Sequence, residues 1–482
     1  MAFREINEEN KRKNFVLHMA FVTFALSMMT TTILPRGCRL IDFQQCNDER
    51  GNLSVAEGRR QVPFSIERVF WIYDVPEGSE RGSHSHNECA EVVVPVHGSF
   101  DMLVDDGDCR TVVHMDSPHQ GILIPPGVWC CLQNFAPGTV CVVFASHPYN
   151  AAGYTHNYDA YCESVIHVQR YDASMADEWN ALVKTSKNGT FLLDRHYMDY
   201  HADRFFDCSL LFRKKGELVA ALPSNYVEEE HTVYSHGGLT YGGLLLHPRL
   251  TAVEALEVFN CAISYYKKEM GAVRWIYKPM PYIYHRLPAD EDLYALFRCN
   301  ATLKARGVSS VIDLTNRLPM RELRRRGLRK AHEAGITFCE SNDLSSFWPV
   351  LEEVLLSRHG RHPVHTLEEM ERLRSLFSEQ IRLFVALTAD KRVVAGTVMF
   401  ETDRVAHAQY IAASSEGRET GALDGLFGWL VEEHYADKPW FDFGISTEQG
   451  GAYLNEGLVF QKEGFGARAV VYDQYELLLA EQ

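Results

Sequence analysis

Two histidines one residue apart, His84 and His86, lie inside a train of short strand-like segments, and this constrains the chain more than any other feature. On a strand, residues two apart share a face, so both imidazoles point to the same side. Strand patterns run over 68–73, 91–96, 100–104, 111–114, 121–124 and 139–144, with turns at Pro-Glu-Gly, His-Gly, Asp-Asp-Gly and Pro-Pro-Gly between them. Many short strands at this spacing predict an all-β sandwich or barrel. Two imidazoles turned into a small β fold are costly unless they are used.

The histidines belong to Gly78-Ser-Glu-Arg-Gly-Ser-His84-Ser-His86-Asn-Glu-Cys-Ala-Glu91-Val-Val-Val-Pro-Val-His-Gly98. This spacing resembles the first motif of the cupin barrels, which implies a jelly-roll barrel over 36–163. Two chemistries fit it. One is a metal site of His84, His86 and Glu91 with a fourth ligand from a later strand. In the second cupin motif that ligand is a histidine shortly after Pro-x-Gly; here Pro125-Pro126-Gly127-Val128-Trp129 leads to Cys130, which could replace it. The other is metal-free acid–base work by the histidines, and this is the expectation carried forward, with no metal ligand assigned.

The stretches Ile66-Glu67-Arg68-Val69-Phe70-Trp71-Ile72-Tyr73-Asp74-Val75-Pro76, Arg81-Gly82-Ser83-His84-Ser85-His86 and Ile124-Pro125-Pro126-Gly127-Val128-Trp129 resemble the dTDP-4-keto-6-deoxyglucose 3,4-ketoisomerases, as do Asp48–Leu53 and Asn157-Tyr158-Asp159. The resemblance implies a cupin fold, a homodimer, no isomerase cofactor, a dTDP-sugar substrate and movement of the sugar ketone from C4 to C3. It makes His84 and His86 proton carriers and Tyr73 a donor to the enediolate oxygen. Arg68 or Arg81 would hold the diphosphate. Trp129 and Glu91 would line the substrate site, Glu91 alternatively orienting an imidazole. Asn87, Glu91 and Cys130 depart from the family's usual residues, and the last two reopen the metal question.

Beyond residue 163 the texture changes. Helical periods at 252–270, 320–334, 344–356, 367–377 and 421–435 alternate with strands at 210–213, 275–277, 383–387, 393–400 and 405–411, an α/β pattern. The glycine-dense Tyr234–Leu245 reads as a close backbone approach to a ligand or as a tight loop. Ser414-Ser-Glu-Gly417-Arg418-Glu-Thr-Gly421 ahead of an amphipathic helix is a phosphate-binding arrangement. The tail from Phe441 to Leu458, with Gln461-Lys-Glu-Gly-Phe-Gly-Ala-Arg468, resembles a sugar-pathway branch of the double Gcn5-related, FemAB-like acyltransferases. That implies two tandem halves, 164–300 and 301–482, and acetyl-CoA or another acyl-CoA held by Gly417, Arg418 and Gly421. Glu448, Asn455 and Lys462 are acyltransferase candidates, each equally readable as a surface or capping residue. The basic run Arg321, Arg324, Arg325, Arg326, Arg329 and Lys330 reads as a solvated surface or as a coenzyme phosphate clamp.

The net charge of −16 argues against general nucleic-acid binding. Twelve cysteines without a CxxC pair read as free thiols of a cytoplasmic protein. Residues 1–35 carry a basic Lys11-Arg12-Lys13 ahead of an apolar run. They read as an extension before a start at Met28 or Met29, as a membrane-associated helix, or as a packed helix, and no membrane partner is assigned. The expectation is a bifunctional enzyme of deoxy-amino-sugar biosynthesis, of the kind that feeds lipopolysaccharide O-antigen. It would isomerise a dTDP-4-keto sugar and acylate the 3-amine that a separate aminotransferase makes. Two other readings are a sugar-sensing cupin fused to an inactive acyltransferase-like module, and a metal-dependent cupin. Sequence leaves open the C4 stereochemistry and the acyl group.

Overall fold

The computed structural model describes residues 34–479 apart from residue 108. The apolar run before residue 34 lies outside these residues. Among the described residues no helix is long and apolar enough to cross a membrane. The chain divides into two compact units, one ending at Val165 and the other beginning at Ile166.

The first unit is built from two five-stranded antiparallel sheets and a small hairpin, Gln44–Asp48 with Gly51–Val55. In chain-neighbour order the first sheet holds Arg39–Asp42, Gln120–Ile124, Glu91–His97, Val140–Ala145 and Arg68–Ile72. The second holds Tyr154–Thr155, Arg81–His86, Trp129–Gln133, Phe100–Asp105 and Arg110–Met115. The strands are shared between two sheets and are not hydrogen-bonded round into one closed barrel. Period-two alternation explains the packing. Val93, Ile122 and Val143 of one sheet meet Met102, Val104, Cys130 and Leu132 of the other in a common core. The opposite side of the second sheet carries Leu103, Trp129 and Cys131, which are covered by Tyr161 and Val165 at the helix Tyr158–Ser164. Burying such side chains stabilises by about 1.5–3 kcal/mol each.

The second unit has a four-stranded sheet and an eleven-stranded one. The expected helices are present as Ala252–Met270, Glu322–Glu333, Leu344–His359, Leu367–Leu376 and Ala422–Trp429. Ala252–Met270 shows why: Thr251 and Glu254 form a capping box, and Gly271 ends the helix in the left-handed region at φ +61°. Within the large sheet two strand pairs are parallel: Thr232–Tyr234 with Arg274–Tyr277, and Val405–Ala413 with Trp440–Ile445. In both, helix lies between the paired strands along the chain, Ala252–Met270 in the first and Ala422–Trp429 in the second. Both pairs share a single sheet, because Arg468–Leu478 pairs with Arg274–Tyr277 on one side and Thr302–Asp313 on the other.

Candidate functional sites

In the first unit, Arg81–His86 pairs with Trp129–Gln133, and the register slips between Cys130 and Cys131 so that Ser83 is left over. Gly82 and Ser83 both have positive φ, +83° and +53°. This bulge re-aims the side chains that follow it. It turns the Gly82 carbonyl onto His84, whose Nδ1 lies 3.0 Å from the oxygen. A carbonyl can only accept, so Nδ1 of His84 carries the proton and Nε2 is left with a lone pair. Burial, then neighbouring His86, push the His84 pKa below the ordinary histidine value.

The two rings lie on one side of the strand as expected, 4.8 Å apart and edge to face. They open on different spaces. His84 lines a cavity of about 400 Å³ between the sheets, with Tyr73, Arg81, Glu91, Cys130 and Leu132 among its walls. His86 is buried and lines a smaller cavity of about 220 Å³ with Arg68, Tyr149 and Tyr154. Tyr154 packs against both imidazoles, at 4.9 and 4.4 Å. Sequence gave no local sign of that tyrosine, which arrives on a strand far downstream. Glu91 connects the two spaces. Its Oε1 is 3.1 Å from His86 Nε2, without the alignment of a hydrogen bond, and 3.4 Å from Arg68 Nη2.

Two expected substrate contacts are placed elsewhere. Trp129 is buried on the outer face of its strand against Tyr161 and Tyr158, because alternation sends Cys130 and Leu132, and not Trp129, to the cavity. Arg68 is committed to Glu91 and the Tyr154 hydroxyl, between the rings of Phe70 and Tyr149. That leaves Arg81 as the cavity's cation. Ligand atoms of His84, His86 and Glu91 lie within 4.8 Å of one another, close enough to hold a metal ion. Cys130 Sγ is not among these grouped ligand atoms. Burial, then the Glu91 charge, push its pKa well up, and the Arg68 guanidinium already serves the carboxylate.

In the second unit, Gly417 lies inside the short helix Ser415–Thr420, where Ser414 Oγ takes its N–H. A Cβ at Gly417 would fall 2.1 Å from the Val394 carbonyl oxygen, and one at Gly421 (φ +74°) 2.5 Å from that of Gly327. Close packing of helix on strand and helix on helix thus accounts for both glycines without a ligand. Arg418 is exposed and donates to the Ala413 carbonyl. Asn455 is the N-cap of Glu456–Glu463. Glu448 is exposed on a two-residue strand. Lys462 is buried and donates to Gly444 O, Ser446 Oγ and Ile445 O; burial lowers its pKa to about 8. Of the basic run, Arg325, Arg326 and Arg329 surround Glu322 and Arg324 pairs with Asp424, which is the arrangement of a compensated surface.

Sequence reasoning missed a buried cluster around Asp442. Its carboxylate accepts from Ser309 Oγ (2.5 Å), Tyr472 OH (2.7 Å), Gly444 N (2.8 Å), His407 Nδ1 (2.9 Å) and Tyr284 OH (3.3 Å). Burial opposes ionisation, but His407 and the hydroxyl donors outweigh it and hold the pKa down at about 2. No sequence signal joins these residues, since four strands and the short turn Tyr282–Tyr284 bring them from five places along the chain.

Residues 36–166 match the family described as WxcM-like, C-terminal, and residues 320–453 match the acetyltransferase (GNAT) domain. The chain is 35% identical over 121 residues to TDP-4-oxo-6-deoxy-alpha-D-glucose-3,4-oxoisomerase of Aneurinibacillus thermoaerophilus, which covers 25% of this chain and 87% of that protein. Among solved structures, QdtA, a sugar 3,4-ketoisomerase from Thermoanaerobacterium thermosaccharolyticum in complex with TDP, is 33% identical. It spans 27% of this chain and 95% of its own, with a TM-score of 0.27. The FemX structure spans 65% of this chain and 97% of its own at 12% identity and a TM-score of 0.48.

Proposed function

Over its first unit this chain belongs to the sugar 3,4-ketoisomerase family, its second unit carries an acetyltransferase (GNAT) domain, and on that premise we propose a bifunctional enzyme of amino-sugar synthesis. The first unit converts a dTDP-4-keto-6-deoxyhexose to the 3-keto sugar. After amination at C3 by a separate aminotransferase, the second unit transfers an acyl group from acetyl-CoA, or a related thioester, to that amine. A cytoplasmic setting belongs to the same proposal. So does a homodimer, which the edge strand Arg68–Ile72 supports by exposing Val69 (47%) and Trp71 (62%) on its outer face.

One observation carries the isomerase reading: His84 has its Nδ1 proton pinned by Gly82 and its Nε2 lone pair beside a sugar-sized cavity. Moving a ketone from C4 to C3 removes the C3 proton, forms an enediol and delivers a proton to C4. Nε2 of His84 takes the first proton and, as imidazolium, can return it. Such general-base catalysis supplies about 10²–10⁴ in rate. Tyr73 on the cavity wall donates to the developing enediolate oxygen, and Arg81 pairs with the diphosphate. Glu91 holds His86 next to His84 and balances a charge on either ring. The test is NMR of the product from dTDP-4-keto-6-deoxyglucose, followed by addition of a 3-aminotransferase and acetyl-CoA. A 3-keto product, then a 3-acylamido sugar, is expected. An unchanged 4-keto sugar would refute the first half, and a free 3-amine the second.

A further inference from the structure

The buried cluster around Asp442 has the form of a proton-transfer site. We propose that His407 carries the amine proton during acyl transfer in the second unit and that Asp442 is its positioning residue, an inference that rests on the acyl-transfer reading above.

A carboxylate as deeply buried as Asp442 is costly unless its lone pairs are filled. It offers about four acceptor sites. Ser309 Oγ and the Gly444 N–H fill the two on Oδ1, and Tyr472 OH and His407 Nδ1 the two on Oδ2. Tyr284 OH stands 2.9 Å from Tyr472 OH and 3.3 Å from the carboxylate, so it extends the network behind them. The imidazole is therefore a full partner of the buried anion, held in one orientation by it. Because its Nδ1–H is given to Asp442, the lone pair is on Nε2, and Nε2 has no partner among the described residues. The ring keeps 13% of its surface exposed, while the Asp442 side chain has none. A base that reaches open space, with an inaccessible anion fixing its tautomer, is the arrangement that proton transfer needs.

Its place in the sheet fits the same role. Val405–Ala413 and Trp440–Ile445 run parallel through Val405↔Trp440, Ala406↔Phe441 and His407↔Asp442, and no further pair joins them. Gly444, at φ +79°, turns the second strand away, and buried Lys462 ties down the carbonyls of Gly444 and Ile445. The dyad is thus the last rung before two parallel strands part. Asp442 faces His407 directly, Tyr472, Tyr284 and Ser309 bond to the same carboxylate, and Lys462 lies behind the turn. In the step, the neutral amine attacks the thioester carbonyl carbon and a C–N bond forms. Nε2 of His407 takes a proton from that nitrogen. The C–S bond breaks with its electron pair leaving on sulfur, and the imidazolium returns the proton to the thiolate. An amide and a free thiol result.

The test uses the full chain, acetyl-CoA and a dTDP-3-amino-3,6-dideoxyhexose. His407→Gln and His407→Ala are expected to lose about 10²–10⁴ in kcat, with the KM for acetyl-CoA and the isomerisation rate unchanged. Added imidazole is expected to restore part of the His407→Ala rate, which a merely structural role would not allow. Asp442→Asn is expected to lose kcat by presenting the wrong tautomer; should it unfold, the His407 variants alone decide. Undiminished transfer by His407→Gln, with the wild type active, overturns this inference and leaves the acyl-transfer reading standing. No transfer by a wild type that still isomerises overturns both.

Discussion

Replacing His84 by asparagine separates chemistry from stability in the first unit. The asparagine amide nitrogen reaches about where Nδ1 of the imidazole sits, so it can keep the bond to the Gly82 carbonyl. Losing that bond altogether would cost about 0.5–1.5 kcal/mol, so the unit's stability should fall by no more than about this. What asparagine cannot supply is Nε2. Loss of a general base is a factor of about 10²–10⁴, which at about 1.36 kcal/mol per decade is roughly 2.7–5.4 kcal/mol of barrier. The catalytic loss therefore exceeds the stability loss severalfold, and the two are measured independently. The direct assay is exchange of the substrate's C3 proton in deuterated water, followed by NMR, beside a urea melt of the same sample. Hundredfold or slower exchange with a nearly unchanged midpoint is expected. Exchange within tenfold of the wild type would remove His84 from the proton transfer whatever the melt reports.

Because the base must be neutral, and burial and His86 lower the His84 pKa, kcat/KM for isomerisation should rise with pH through a midpoint below the usual 6.5 and be flat above it; a midpoint above 6.5 would contradict the buried, unprotonated His84. His86→Asn removes the ring between His84 and Glu91 and should also slow isomerisation by at least about tenfold; an unchanged rate would assign the proton chemistry to His84 alone. Isomerisation should survive dialysis against a chelator, whereas stoichiometric metal whose removal and return switch the activity off and on would establish a metal site at His84, His86 and Glu91. Gly421→Val forces a side chain onto the Gly327 carbonyl in a left-handed backbone position, so it should lower the unfolding free energy of the second unit, read from a urea melt, by about 1–3 kcal/mol; a raised KM for acetyl-CoA without any stability loss would favour the phosphate-loop reading.

The histidine pair was legible because period two is a local property: His84 and His86 share a side whatever the rest of the sheet does. The helix Ala252–Met270 was legible to the residue for a similar reason, with its cap residues adjacent in sequence. Trp129 was misplaced because which face of its strand is inner depends on the bulge at Ser83 and on the helix Tyr158–Ser164 that covers the other side. Gly417 and Gly421 looked like a loop built for phosphate, but a glycine required by a neighbouring carbonyl has the same letter in the sequence as one required by a ligand. The Asp442 cluster was invisible because His407 and Asp442 meet through a parallel pairing, which brings together residues on either side of a crossover helix with no fixed spacing.

The strand Arg468–Leu478 lies in the interior of the large sheet, between Arg274–Tyr277 and Thr302–Asp313. During synthesis those two strands emerge long before the segment that will separate them. Their facing edges must stay apart, unpaired and shielded, until nearly all of the second unit has been made. Folding of this unit is thus gated by translation of its last strand. A ribosome stalled before Arg468 would present two exposed edges, one of four residues and one of twelve, a target for chaperones and a seed for domain exchange between nascent chains.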